Sequence, residues 1–535
     1  MKRWNGWGSE LIDFPVSSGA KNYLSKIIGR ANPRPSARFE DALRLIPAGK
    51  LPPHPLVSSD PSIRLRHARG QSLPDWIALR YGTIDRVPDG VALPASEKEV
   101  QELLVFAKKS GAAIIPYGGG TSVVGHINPL PGERPVLTID MSRLFRMTRL
   151  DEKSYLATFG AGVTGPHLEA QLRAHDLTLG HFPQSFEYST LGGWIASRSS
   201  GQQSLYYGRI EDLFAGGRLI TPEGLLELPP FPASAAGPDL RQVVLGSEGR
   251  LGILTQATVR VAPLAERERF HAIFFPDWTR GMAAIKEIVG NDLPVSMLRL
   301  TDDAETKTTL ALAGHERLIR LLERLLRARG LEDEKCLLLM GITGGHETAR
   351  KTRRPALDIA QTHGGVYGGR RFGREWRKNR FRTPYLRNTL WDIGYAVDTL
   401  ESAFTWDNVP RAAEVILKNL RAGLDDSGEK VLAFAHISSV YRTGASLYFT
   451  CVFRLAADAQ ETLSRWKKLK AAASSAILAH GGTISHQHGV GVDHLTYLGT
   501  EKGELGIRAL RSLTSAFDPE GIMNPGKLVC EKDER

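Results

Sequence analysis

With 535 residues the chain exceeds what one hydrophobic core supports, so two or three domains are expected, and 42% hydrophobic with 24% charged residues is ordinary for a soluble globular protein. No run reaches the ~18 uninterrupted apolar residues of a spanning helix, and three scattered thiols, Cys336, Cys451 and Cys530, with no CxxC pair, argue against a zinc ribbon and a disulfide framework. A formal charge of +11 with no nucleic-acid motif beside it points to anionic small molecules first, an anionic membrane surface second, and away from nucleic acid.

Residues 1–85 are rich in Pro and Arg, as in Asn32-Pro-Arg-Pro-Ser36 and Leu51-Pro-Pro-His-Pro55, with only short helical patterns such as 39–45. They read as an arm packed on the body and anchored by Trp4 and Trp7. The N-terminus lacks the apolar core of a secretory signal and the C-terminus is not Ser-Lys-Leu, so a cytoplasmic location is expected, with peripheral membrane contact and a homodimer as further expectations. From Val91 the pattern becomes α/β. Ser96, Glu97 and Glu99 open an amphipathic helix to Lys109, strands follow at 112–115 and 135–140, and a third at 155–164 leads into a helix over 166–175. A strand over 213–221 and a glycine-rich segment ending near Pro263 close this unit, giving a domain over 86–264. Residues 265–500 then carry new signals, helices at 315–329 and 412–424 and the alternating strand 445–453, as in a half-buried antiparallel sheet. The final 501–535, with Asp518-Pro-Glu-Gly-Ile-Met-Asn-Pro-Gly526, are expected to return to the first domain.

Three glycine-rich segments come in order. Ile114-Ile-Pro-Tyr-Gly-Gly-Gly-Thr-Ser122 is an apolar strand entering a loop whose free N–H groups suit a pyrophosphate. Residues 180–201 interleave small residues and hydroxyls with apolar ones, as backbone close to a flat ligand requires, and 245–260 form a second glycine turn before a strand. One triple glycine alone would be an ordinary turn; three such segments suit a flavin. The GxGxxG of a Rossmann dinucleotide site is absent.

These segments, with Trp4-Asn-Gly-Trp-Gly8, Gly208-Arg-Ile-Glu-Asp-Leu213, Arg387, Tyr448 and Gly481-Gly-Thr-Ile-Ser-His-Gln-His-Gly489, resemble FAD-binding proteins of the vanillyl-alcohol oxidase (PCMH) type, and among them the alkyldihydroxyacetonephosphate synthases. The resemblance implies an α+β fold: a two-part FAD-binding domain, an antiparallel substrate cap and non-covalent FAD, since Thr121 stands where covalent relatives carry a histidine. It places Pro116, Tyr117, Gly118, Gly119, Gly120, Thr121 and Ser122 at the pyrophosphate. Gln184, Ser189, Thr190, Gly192 and Gly193 would lie at the flavin ring, and Glu248, Gly249 and Ile253 on the adenosine side.

In the cap, His486 and His488 are two apart, so on a strand they would share a face. With no carboxylate or thiol nearby in sequence they are too few for zinc, and no metal is expected. The resemblance makes His486, His488, Tyr448 and Arg299 catalytic and Arg387, Thr399 and Gln184 substrate-binding. Tyr448 could exchange a proton if a nearby cation lowered its phenol from about 10. Most of the basic run 370–387 reads as a solvated face or membrane-touching loop, Arg387 excepted as the expected grip on a substrate phosphate. Gln487 and Gln184 replace a histidine and an aspartate of the family, each a lost ionisable group. The implied reaction exchanges the acyl group of acyl-dihydroxyacetone phosphate for a fatty alcohol without net redox change. A flavin dehydrogenase of a 2-hydroxyacid or glycerol 3-phosphate-like donor, and a membrane-associated flavin-binding protein without turnover, are the alternatives.

Overall fold

The computed structural model describes residues 2–312 and 316–529; His315, Cys530 and residues 532–535 lie outside them. Ser96 accepts a hydrogen bond from the Glu99 amide and Gly111, at φ 65°, closes the other end, so the expected helix forms as Glu97–Ser110 and buries Val100, Leu103, Leu104 and Ala107. It links strands of a four-stranded sheet ordered Val57–Ser58, Gly90–Ala92, Val136–Asp140, Ala113–Tyr117, the last three parallel. Parallel strands read as apolar runs because both faces are covered. Ala113–Tyr117 therefore ends in the interior and delivers residues 118–122 there.

A five-stranded antiparallel sheet follows, ordered Met147–Asp151, Leu156–Gly160, Ile253–Arg260, Phe214–Thr221, Gly224–Leu228. Residues 180–201 are not a continuous extended wall. Thr190 accepts from the Gly193 amide and starts a helix, Leu191–Ser197, so the paired glycines lie in its first turn.

The third sheet has seven antiparallel strands, in the order Val366–Gly369, Arg267–Phe275, Cys336–Gly344, Met297–Thr301, Leu432–Tyr441, Gly444–Arg454, Tyr395–Thr405. Every residue of Cys336–Gly344 is buried, so this central strand is covered on both faces. Helices Trp278–Gly290, His346–Thr362, Val409–Ala422 and Ala459–Ala479 pack on one face around Ile285, Leu300, Met340, Ile416, Leu447 and Ile477. Each such side chain contributes roughly 1.5–3 kcal/mol. The other face meets residues that follow the central segment: Gln203 Nε2 donates to Thr343 Oγ1 at 3.2 Å. The fold is α+β, as the resemblance implied.

Residues 2–85 are woven into both units. Trp7 is buried in the core of the seven-stranded sheet, and its backbone N–H and C=O are both bound by the Asn388 side chain, at 3.1 and 3.0 Å. A helix the sequence pattern did not show, Leu73–Tyr81, begins with a Ser72/Asp75 capping box and buries Trp76 completely. The final segment reaches the first sheet, where the Asn524 amide nitrogen donates to Ile114 O at 2.7 Å.

Candidate active site

The three glycine segments meet at one place because they lack side chains there. A Cβ on Gly119 would lie 1.8 Å from Tyr188 O, one on Gly118 2.3 Å from Thr190 Oγ1, and one on Gly249 3.0 Å from Pro116 Cγ. The structure thus brings Pro116 to Ser122, Ser189 to Gly193 and Glu248 to Gly249 together, with Ile253 buried at the start of the adjoining strand. Among the hydroxyls, Ser189 Oγ accepts from Trp194 Nε1 at 2.7 Å and donates to Ser185 O, and Ser122 Oγ lies 3.0 Å from His126 Nδ1. Tyr117 is buried against His67, at 4.6 Å between ring centroids. The Glu248 carboxylate accepts from the amides of Val490 and Gly491 at 2.5 and 2.8 Å, which ties this cradle to the loop bearing the two histidines. Ser200 Oγ and Gln202 Oε1, at the end of and just past residues 180–201, are buried without a partner among the described residues. Small residues around a loop of free amides, beside unsatisfied polar atoms, fit a polar planar cofactor.

Across from this cradle, strand alternation puts Arg299, His436, Ser438, Thr399, Glu401 and Tyr448 on one face of the seven-stranded sheet. His486, Gln487 and His488 lie on a bend, not the expected strand, yet both histidines still turn to one partner, Glu401. His486 Nδ1 is 3.0 Å and His488 Nε2 3.9 Å from its carboxylate, Gln487 Nε2 donates to it, and the Ser438 hydroxyl donates at 2.5 Å. A carboxylate therefore does stand beside the histidine pair, contrary to expectation. It comes from a strand 85 residues earlier in the chain, which spacing along the sequence does not show. Burial pushes the Glu401 carboxyl up, but the His486 and His488 imidazoles and Ser438 outweigh it and hold the group down to about 2. No group of three or more His, Cys, Asp or Glu suited to a metal occurs among the described residues.

His486 Nε2 accepts from Arg209 Nη1 at 2.5 Å and lies 2.6 Å from the Tyr441 hydroxyl. Both residues line a cavity of about 530 Å3 with Tyr206, Tyr207 and Ser439. Burial holds His488 below the ordinary imidazole range, with Glu401 opposing. The Tyr448 ring stacks on His436 at 4.9 Å and meets His488 edge-on at 5.8 Å. Its phenol is not lowered by a cation. Burial raises it, outweighing the Thr399 hydrogen bond and the Arg387 charge, so Tyr448 stays protonated.

Arg299 Nη2 is 2.5 Å from Glu305 Oε1 and 3.3 Å from His436 Nδ1, so it stands behind the ring stacked on Tyr448. Arg387 is more open in its bonding. Nη1 donates to Gln71 O at 2.8 Å and the guanidinium lies 4.5 Å over the Trp76 ring, but Nη2 is buried with no partner among the described residues. Gln184 is half-buried between Phe182 and Phe186 and makes no side-chain hydrogen bond among the described residues. The sequence reading missed Glu401, Arg209, Tyr441 and the Glu305–His436 pair. For Glu401 there was a signal: an acid two residues from Thr399, and so on the same face of the strand Tyr395–Thr405.

Residues 88–228 match the family model of an FAD binding domain and residues 264–528 that of the C-terminal domain of FAD linked oxidases. The fold and site are those of an FAD-dependent enzyme. The chain is 33% identical over 502 residues to the alkyldihydroxyacetonephosphate synthase of Dictyostelium discoideum, covering 92% of this chain and 82% of that one. It is 29% identical over 571 residues to the synthase of Trypanosoma brucei brucei, covering 98% and 92%. A solved alkyldihydroxyacetonephosphate synthase superposes with a TM-score of 0.85 at 27% identity, covering 98% of this chain and 97% of that one. The chain belongs to the alkyldihydroxyacetonephosphate synthase family.

Proposed function

We propose that this protein exchanges the acyl chain of acyl-dihydroxyacetone phosphate for a fatty alcohol, using non-covalent FAD held by a domain over residues 86–264, beneath a cap over 265–500. The observation that carries the reading is Arg387: a guanidinium tied at Nη1 to Gln71 O but with a buried Nη2 that has no partner among the described residues, beside a protonated tyrosine and a carboxylate-held histidine pair. A buried N–H donor that no protein group accepts calls for an acceptor on the substrate, and a guanidinium suits phosphate oxygens.

When bound, FAD supplies an electrophilic centre at which the substrate carbon can exchange its oxygen substituent without net redox change. Arg387 grips the phosphate, with the Thr399 and Tyr448 hydroxyls alongside. His488, favoured neutral by burial, accepts a proton from the substrate, and Glu401 stabilises the imidazolium that results. Tyr448 donates its proton to the departing carboxyl oxygen and regains one from the hydroxyl of the entering alcohol, whose oxygen takes the vacated place on the substrate carbon. Arg299, held by Glu305 at one nitrogen, keeps the rest of its fork for the departing carboxyl group. The imidazole that the family carries at the middle of its three histidines is not needed at Gln487, whose amide fixes Glu401 and accepts from the Ser200 amide at 3.1 Å. Thr121 in the first loop, and His126 engaged by Ser122 and Glu248, support non-covalent attachment. No helix among the described residues is long and apolar enough to cross a membrane.

The test is an anaerobic visible titration of the FAD-loaded protein with acyl-dihydroxyacetone phosphate and, separately, with 2-hydroxyacids and glycerol 3-phosphate. Bleaching by the acyl phosphate, with fatty acid released and no electron acceptor required, is expected. Bleaching only by a hydroxyl donor, reversed by an electron acceptor, would make the protein a dehydrogenase instead.

A further inference from the structure

Arg267, Arg269 and His271 alternate along their strand with Glu268 and Phe270, so they lie on the helix-covered face of the seven-stranded sheet, opposite the face that bears Arg299 and Tyr448. Beneath the start of the helix His346–Thr362, a cavity of about 160 Å3 is lined by Arg267, Arg269, His271, His346, Arg350 and Arg353. No carboxylate lines it. Glu347 is paired with Lys351 at 2.7 Å, Glu268 faces Arg377 on the other side of the sheet, and Glu266 lies beside Gly345.

Among the described residues none of these four arginines makes a hydrogen bond or ion pair, although Arg267 and Arg269 are half-buried. Comparable half-buried arginines of this domain, Arg299, Arg380 and Arg454, each face a carboxylate. Four guanidiniums around one cavity repel one another; Arg350 and Arg353 are exposed and Arg353 lies 5.7 Å from the Tyr367 ring centroid, but no carboxylate among the described residues pairs with any of the four. The cavity also has a built floor. His271 is buried, its Nδ1 lies 3.0 Å from the Tyr367 hydroxyl, and burial together with Arg353, Arg370 and Arg269 lowers it to about 4. In the tautomer whose Nδ1 accepts from that hydroxyl, the neutral ring presents an Nε2–H donor.

We propose that this cavity is a second anion site that takes a phosphoryl group, separate from the substrate phosphate at Arg387. Its volume admits one tetrahedral oxyanion but not a nucleotide or acyl chain, which need pockets of about 300 Å3 or more. Arginine forks and an N–H donor match phosphate oxygens. That phosphoryl group belongs either to a free phosphate or to a lipid headgroup.

Two probes separate the sources: calorimetric titration of the FAD-loaded protein with inorganic phosphate, and co-sedimentation with phosphatidylcholine vesicles with and without phosphatidic acid. Each is run on the unmodified protein, on Arg269→Ala/Arg353→Ala and on Arg387→Ala. Binding that survives Arg387→Ala but weakens about tenfold or more in the double variant is expected. Seen with phosphate, it identifies a free oxyanion; seen only with phosphatidic acid vesicles, a headgroup. A charge-keeping double variant, Arg269→Lys/Arg353→Lys, should bind with intermediate strength. Equal binding of both probes by the unmodified protein and the Ala double variant, with flavin spectra unchanged, would overturn the proposal, as would no binding at all.

Discussion

Glu401 has a side chain with no solvent exposure, and its charge is sustained by His486, His488, Gln487 and Ser438. Its folded carboxyl titrates at about 2 against an ordinary 4.5. An acid lowered on folding contributes stability above its unfolded pKa and loses it as pH falls toward the folded value. Glu401→Gln should therefore cost about 2 kcal/mol at neutral pH, and the gap to the unmodified protein should close between about pH 4.5 and about pH 2. Thermal melts across that range check it, and a pH-independent gap would remove the carboxylate's ionic role. Tyr448 separates catalysis from folding. Tyr448→Phe keeps the stacking on His436, so FAD content should hold while turnover falls about 100- to 10,000-fold; unchanged turnover would remove its role in proton transfer. Arg387→Ala should raise the KM for the acyl phosphate about 10- to 100-fold with FAD retained, and an unaltered KM would remove the phosphate assignment.

At the scale of elements, the cofactor cradle could be read from the sequence because its chemistry is local. A strand entering a glycine loop, or small residues spaced along one segment, carries its meaning within about ten residues. The cap cluster is different. Tyr448 sits opposite Glu401 and His436 on neighbouring strands, a register that fixes the site yet leaves no mark at any one position. His486 and His488 meet Glu401 from a bend, so the shared orientation that a period-2 argument expected of a strand arises from a different geometry. Helix Leu73–Tyr81 escaped the reading because Pro74 and its polar flanks look like loop, although proline fits the first turn of a helix. The cradle's close contact can be tested directly. Gly119→Ala places a methyl against the Tyr188 carbonyl, so the loop must move. FAD affinity should drop about tenfold or more while the fold survives, measured by flavin fluorescence on reconstitution; full flavin content would show that the loop has room to spare.

Across the whole molecule, the N-terminal arm adds to the direct contacts between the two units and touches both halves of the site through one residue. The Gln71 amide donates to Ser122 O in the cofactor loop at 2.6 Å, and its carbonyl accepts from Arg387 Nη1 at 2.8 Å. Lys2 Nζ adds a bond to Gly119 O at 2.6 Å, and Arg80 reaches Asp392 at 2.8 Å on the helix that carries Arg387. Cofactor loop and substrate grip are thus fixed to each other by residues that belong to neither. Gly70 makes the approach possible, because a Cβ there would lie 2.6 Å from Ser122 O. In Gly70→Ala the peptide must withdraw from the loop and carry the Gln71 carbonyl away from Arg387. FAD affinity and the KM for the acyl phosphate should worsen together, whereas Gly119→Ala disturbs mainly the first and Arg387→Ala mainly the second. Flavin titration and steady-state kinetics on the three variants distinguish the cases. If Gly70→Ala changed neither quantity, the arm would be packing alone; if it changed only one, Gln71 would not couple the two halves.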